Sequence, residues 1–404
     1  CWQGLARDWE PFSVWEGVYE APAPAVAKHE PLKKETAESL LRRLIMLEDP
    51  AMQNAMYVLG DCYVRTGRKD EARMAFSAAA KMNFDEKIAE DALFNYAKLT
   101  YELSYSPFNE AIRAFNDYLT KYPGSERADE AYNYLLQVYM STRNYKDALA
   151  SIQKIRVKDD RVKQAWQRVA FFRALELYNN LDYQGAINLL DVSLQFGNYD
   201  RKLKALAFYW KGEAWYRLGD YTEAIDQYQN FLAQPAAPAT DVYSTALYNT
   251  GYACFNLKRY ADAALWFGKF LDRESGKVTD LVADTYNRMG DCYFIKPDYP
   301  KAVEMYNKAI AINKYDADYA LFQKGFSLGL MEKTRDKITV LNQLLGSFPR
   351  SRYVPDALFE LGNSYLKLKE LQKALEYYQR ILANYPSSSY YSKSMVQAGL
   401  VYRN

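Results

Sequence analysis

The chain has 404 residues, 49% of them hydrophobic and 25% charged, which is enough apolar material for a sizeable core. Its 52 Lys and Arg against 50 Asp and Glu leave a net charge of +2, so there is no electrostatic footprint for nucleic acid or an acidic membrane surface. Four cysteines exclude a disulfide scaffold, and no run approaches the roughly 20 apolar residues that cross a bilayer. Tyrosine is the outlier at 37 residues; a ring with a polar tip suits half-buried surfaces and interfaces.

The chain opens on Cys1 without a preceding Met. Two readings stay open for it: the lipidated N-terminal cysteine of a processed bacterial lipoprotein, or a fragment boundary. Residues 1–31 form an arm, with Trp2, Trp9, Phe12, Trp15 and Tyr19 ahead of the Pro/Ala linker "APAPAVAKHEP". So aromatic a segment is expected to dock on the rest of the chain or on a partner. Residues 32–50 carry Ala37, Leu41 and Leu44 on one helical stripe and form a half-repeat that caps the array beginning at residue 51.

From 51 to 404 one phrase returns: "TGRKDEARMAFSAAA" at 66, "LGDYTEAIDQYQNFL" at 218, "LKELQKALEYYQRIL" at 368. A preceding helix A carries a small residue at its centre: Gly60, Ala97, Ala174, Gly212, Gly251, Gly290, Gly325, Gly362 and Gly399, with Leu136 as the exception. Twelve residues on (fourteen in the second unit), helix B supplies Ala72, Ala111, Ala148, Ala186, Ala224, Ala263, Ala302 and Ala374; the eighth unit has Lys337 instead. Large apolar residues lie four and seven positions later, as in Tyr228 and Phe231 or Phe267 and Phe270. Small residues let two antiparallel helices cross closely, and the i, i+4, i+7 stripe is too wide for one pair to bury. Each pair must therefore stack on the next. The predicted fold is an all-α solenoid of antiparallel helix pairs, about nine full repeats with a half repeat at each end; the last, "SKSMVQAGLVYRN", has a helix A with no helix B, and continuation of the native chain is expected.

These residues resemble tetratricopeptide repeats, most closely in "ALFELGNSYLKLKELQKALEYYQRILANYP" at 357. The resemblance covers residues 51–404 and implies a right-handed superhelix whose concave wall binds protein segments. The period here exceeds the family's 34 residues, because linkers such as "KYPGSERADEA", "SFPRSRYVPDA" and "NYPSSSYYSKS" separate one helix B from the next helix A. This aromatic-Pro-x-Ser linker is similar to bacterial envelope repeat proteins of the Tol–Pal-associated coordinator and outer-membrane assembly lipoprotein types. That similarity implies a periplasmic or outer-membrane location as the expectation.

Enzymatic motifs are missing. The single histidine, His29, lies in the Pro-rich linker, and no HExxH, CxxC or Gly-Lys-Ser occurs. No catalytic residue, metal or cofactor is expected. "YDADYA" at 315 lacks the Gly and distal Glu of a calcium loop, and "KIRVKDDRVK" at 154 suits a solvated face. Cys62, Cys254 and Cys292 are expected as small apolar side chains in helix interfaces. Asp61, Glu213, Asp291 and Asn363 are expected to face inward, and with only Lys98 beside them they form no carboxylate clamp of the kind some family members carry.

Partner binding is expected on helix A, at positions three before, one after and four after the small residue. The candidate groove is Tyr209, Tyr216, Tyr248, Tyr252, Phe255, Phe294, Phe322 and Phe326, centred on Tyr248, Tyr252 and Phe255 with Phe322 and Phe326 two units on. Packing alone is the competing account, since the resembling family places tyrosines at the first and third slots for that purpose. The expected function is a non-enzymatic scaffold that takes a peptide or helix, with no nucleic acid and with membrane contact only through a lipid or a partner. A surface glycan-binding protein and a cytosolic adaptor are the alternatives; aromatics spread along many units favour an extended protein segment.

Overall fold

The computed structural model describes residues 49–103 and 109–403. Cys1, the Trp-rich arm, the linker and the half-repeat through residue 48 lie outside the described residues. The chain divides into two compact units, Cys1–Ser106 and Pro107–Asn404. In the first are α1 (Pro50–Arg65), α2 (Lys69–Lys81) and α3 (Glu86–Leu103). The second holds α4 (Asn109–Lys121), α5 (Ala128–Ser141), α6 (Tyr145–Lys154), α7 (Asp160–Asn179), α8 (Tyr183–Gln195), α9 (Arg201–Leu218) and α10 (Tyr221–Leu232). It continues through α11 (Tyr243–Asn256), α12 (Tyr260–Arg273), α13 (Asp280–Ile295), α14 (Tyr299–Ile312) and α15 (Ala317–Leu330), then α16 (Thr334–Ser347), α17 (Val354–Lys367), α18 (Leu371–Asn384) and α19 (Tyr391–Arg403). Every described element is helical.

Odd-numbered helices are the A members and even-numbered ones the B members. Seven of the described hairpins turn through a residue seven positions after the small central one, in the left-handed region: Gly67, Arg143, Leu181, Gly219, Lys258, Glu332 and Lys369 all have positive φ. The next amide then reaches back to helix A, as from Arg68 N to Tyr63 O at 2.9 Å or Lys333 N to Leu328 O at 3.0 Å. This is the six-to-one closure that satisfies a helix's orphan carbonyls. That same residue opens helix B: the side chains of Asn144, Asp182, Asp220 and Asp298 each accept an amide of the following turn. In the linkers Ser125, Ser351 and Ser388 accept from the amides of Arg127, Tyr353 and Tyr390 at 3.0–3.1 Å, which explains the Ser of the aromatic-Pro-x-Ser phrase.

The expected columns form the core. Ala72, Ala111, Ala148, Ala186, Ala224, Ala263, Ala302 and Ala374 have no exposed surface. The helix B residue four further on lies over the helix A glycine. A Cβ on Gly290 would come 2.5 Å from the Tyr306 ring, and one on Gly251 2.6 Å from that of Phe267. At Gly290 and Gly251, then, it is a facing ring that leaves no room for a Cβ, while at Gly325 the aliphatic Leu341 does so at 2.7 Å. Where helix A has Leu136 or Ala174, helix B offers the aliphatic Ile152 or Leu190, all of them buried. At the exception in the Ala column, the Lys337 ammonium pairs with Glu360 of α17.

Candidate interaction surface

The position after the small residue was expected to face inward, and its chemistry depends on helix B. The hydroxyl of Tyr228 donates to Glu213 at 2.6 Å, that of Tyr306 to Asp291 at 2.8 Å, and that of Tyr378 to Asn363 at 2.8 Å. A buried phenol needs an acceptor, and the +1 side chain supplies it. Where helix B carries Phe267 or Leu341 instead, no acceptor is required, and the +1 residue is Tyr252 or Phe326. This pairing, sixteen residues apart at the small column, is a signal in the sequence that the three slots on helix A do not capture. Asp61, whose pair has Phe76, forms an ion pair with Arg65 at 2.8 Å.

The third-slot aromatics close their own hairpins. Ring centroids lie 5.2 Å apart for Tyr216 and Tyr221, 5.3 Å for Phe255 and Tyr260, and 5.7 Å for Phe294 and Tyr299. Asn256 also donates to the Tyr216 hydroxyl at 3.1 Å, joining consecutive A helices. Tyr209, in the first slot, is only 5% exposed and lies against Tyr228 and Phe231, so it offers a partner no face.

Tyr248 and Tyr252 are tied to the next helix A. Tyr248 donates to Asp284 at 2.7 Å, and the Tyr252 hydroxyl donates to the same carboxylate oxygen. Arg288 lies between two carboxylates, 3.5 Å from Asp284 and 2.6 Å from Asp291, and Tyr319 of α15 donates to Asp291 at 2.7 Å. Burial raises the Tyr248 and Tyr252 phenols well above their ordinary range, and Asp284 adds to the effect. Burial also raises the Asp291 carboxyl, against the pull of Arg288 and the two phenol donors. The network clamps α11, α13 and α15 together. It fixes the half-buried Tyr248 and Tyr252 of the expected groove to the next helix A.

What remains open lies one turn further along. Phe326 is 37% exposed, Leu330 46% and Ile295 47%. Beneath them Phe322 and Phe294 are half-buried, with ring centroids 6.3 and 5.9 Å from Phe326. Phe322 in turn stacks on Tyr353 at 5.4 Å. An exposed apolar edge on a rigid aromatic base is the arrangement that anchors a partner's side chains. Ile295 and Leu330, five positions after their glycines, fall outside the three slots and were not foreseen.

Models of the tetratricopeptide repeat match residues 33–87, 173–241, 283–316 and 355–388. These segments are tetratricopeptide repeats. Over 91 residues the chain is 36% identical to the intraflagellar transport protein 56 homolog of Caenorhabditis elegans, a stretch that is 22% of this chain and 14% of that protein's length. Among solved structures, it is similar to the C-terminal part of a repeat-containing protein from Cytophaga hutchinsonii: 16% identity, TM-score 0.46, 66% of this chain and 98% of that one. It is also similar to PilW, a type IV pilus biogenesis factor: 18% identity, TM-score 0.40, 57% of this chain and 98% of that one.

Within the tetratricopeptide array the cysteines divide. Cys254 and Cys292 are buried in one cluster, and burial pushes their thiols up to about 11 and about 12, which keeps them unreactive. Cys62 is exposed, contrary to expectation. It has the same offset from its glycine as Cys292, which is covered beside Cys254 of α11. Among the described residues, no group of three His, Cys, Asp or Glu could hold a metal ion, and no helix is long and apolar enough to cross a membrane.

Proposed function

We propose that this chain is a non-enzymatic protein-interaction scaffold of the bacterial cell envelope, periplasmic or at the outer membrane. There it holds together components of an outer-membrane assembly, secretion or wall-coordination complex. The observation that carries the binding reading is the exposed edge of Ile295, Phe326 and Leu330 above Phe294 and Phe322, on a wall whose other large aromatics are committed to packing. Exposed apolar residues grouped on an aromatic base, rather than scattered singly, mark an interaction site. The envelope part of the proposal is supported by the aromatic-Pro-x-Ser linkers at Tyr122, Phe348 and Tyr385.

A photo-reactive residue at position 326, with one at the exposed Leu265 of α12 as the control, tests the site in the cells that make the protein. A discrete protein crosslinked from 326, not from 265, and lost on Leu330→Ala is the expected result. Equal labelling from both positions, or none from 326, refutes it. Fractionation of the same cells tests the location, and recovery of the chain outside the envelope fractions rejects that part.

A further inference from the structure

The exposed edge has a charged border. In the hairpin turns α11–α12, α13–α14, α15–α16 and α17–α18 the side chains of Lys258, Lys296, Lys333, Lys367 and Lys369 are exposed and form no ion pair among the described residues. The acids of these turns are mostly neutralised already: Asp298 by Lys301 at 2.7 Å and Glu370 by Lys373 at 2.6 Å. Among the described residues of these turns, only Glu332 is an acid without a cation. The turn of α7–α8, at 179–182, contains no cation at all. Four successive turns thus carry five lysines without an ion pair among the described residues, whereas the turns of α5–α6 and α9–α10 carry one arginine each, Arg143 and Arg217. The lysine border adjoins the apolar edge directly, since Lys296 is next to Ile295 in the chain and Lys333 lies three residues after Leu330.

We infer that this edge receives an acidic peptide segment bearing large apolar side chains, seated with its apolar residues on Ile295, Phe326 and Leu330 and its carboxylates against the lysine row. The inference rests on the proposed scaffold role and names the partner's chemistry. Unpaired lysines beside an apolar contact attract carboxylates and repel a basic segment, so they set specificity and encounter rate while the apolar anchors supply affinity. Because the lysines lie along four successive turns, an internal stretch of chain meets them without needing a terminal carboxylate.

The test is selection of displayed random 16-residue peptides on the full chain, with titration of the synthetic winners. The expected outcome is enrichment of Asp and Glu together with Phe, Leu or Trp. Binding should weaken about tenfold or more in a Lys296→Glu/Lys333→Glu/Lys369→Glu variant, and also as salt rises. It should weaken likewise in Phe326→Ala/Leu330→Ala, with circular dichroism confirming that both variants fold. Enrichment of neutral or basic peptides, or of none, overturns the inference. Winners that lose affinity in the Phe326/Leu330 variant but not in the lysine variant overturn the acidic partner and leave the scaffold role standing. Winners indifferent to both variants sink the two together.

Discussion

The ring of Tyr306 lies directly on Gly290, and its hydroxyl reaches past the glycine to Asp291 Oδ1 at 2.8 Å. One contact thus fixes both the spacing of α13 against α14 and the acceptor for a buried phenol. A methyl group at position 290 would sit 2.5 Å from the ring, which is itself fully buried and has nowhere to move. Gly290→Ala is expected to destabilise by ~1–3 kcal/mol through overpacking. At Gly399 of α19 the same substitution meets no atom within 4 Å and should stabilise the helix by ~0.5–1 kcal/mol. Thermal melts of the two variants should move in opposite directions; shifts of the same sign and size would contradict the packing described.

Asp129 in the first turn of α5 accepts the amides of Arg156 and Val157, each at 2.9 Å, with the Arg156 guanidinium 3.3 Å away. Partial burial works to raise its carboxyl, but those amides and the guanidinium outweigh it and hold the group below its usual range. A carboxylate whose folded pKa is depressed contributes stability above its unfolded value of about 3.9, and that contribution is lost as pH falls through the folded value. Asp129→Asn should therefore lower the melting temperature near neutral pH, by an amount equivalent to about 1 kcal/mol. The gap between variant and wild type should close below about pH 4. A gap that stays constant through the acid range would show that the charge is not involved.

Tyr252 and Phe326 occupy the same slot in different repeats and should respond differently to truncation. The Tyr252 ring meets that of Phe267 edge-on at 5.5 Å, and its hydroxyl donates to the buried Asp284. Tyr252→Ala is expected to cost about 2–3 kcal/mol, from lost packing and the loss of one of the two phenol donors to that carboxylate oxygen. Phe326→Ala, at an exposed edge, should stay within about 1 kcal/mol of wild type. Urea midpoints decide the matter, and equal losses would mean that Phe326 is as deeply integrated as Tyr252.

Much of the architecture was legible in the chain. The alanine column, the apolar residues four and seven positions beyond it and the aromatic-Pro-x-Ser linkers identified helix pairs that must stack, because helical periodicity and close crossing leave few other uses for such spacing. The candidate site was legible only in outline. One slot on helix A can face a neighbouring helix in one repeat and solvent in another, so spacing cannot separate Tyr252, whose hydroxyl is held by Asp284, from Phe326, which is open. By itself the sequence determined which residues could cross closely, where each helix starts and stops, and which rings have hydroxyls needing acceptors. Only the tertiary structure decided which aromatics remain free. That outcome depends on contacts between repeats, such as Tyr248 with Asp284, 36 residues apart in the chain. Such a contact forms only once α11 and α13 are stacked, and it then holds the hydroxyl of a ring that the sequence alone leaves unassigned.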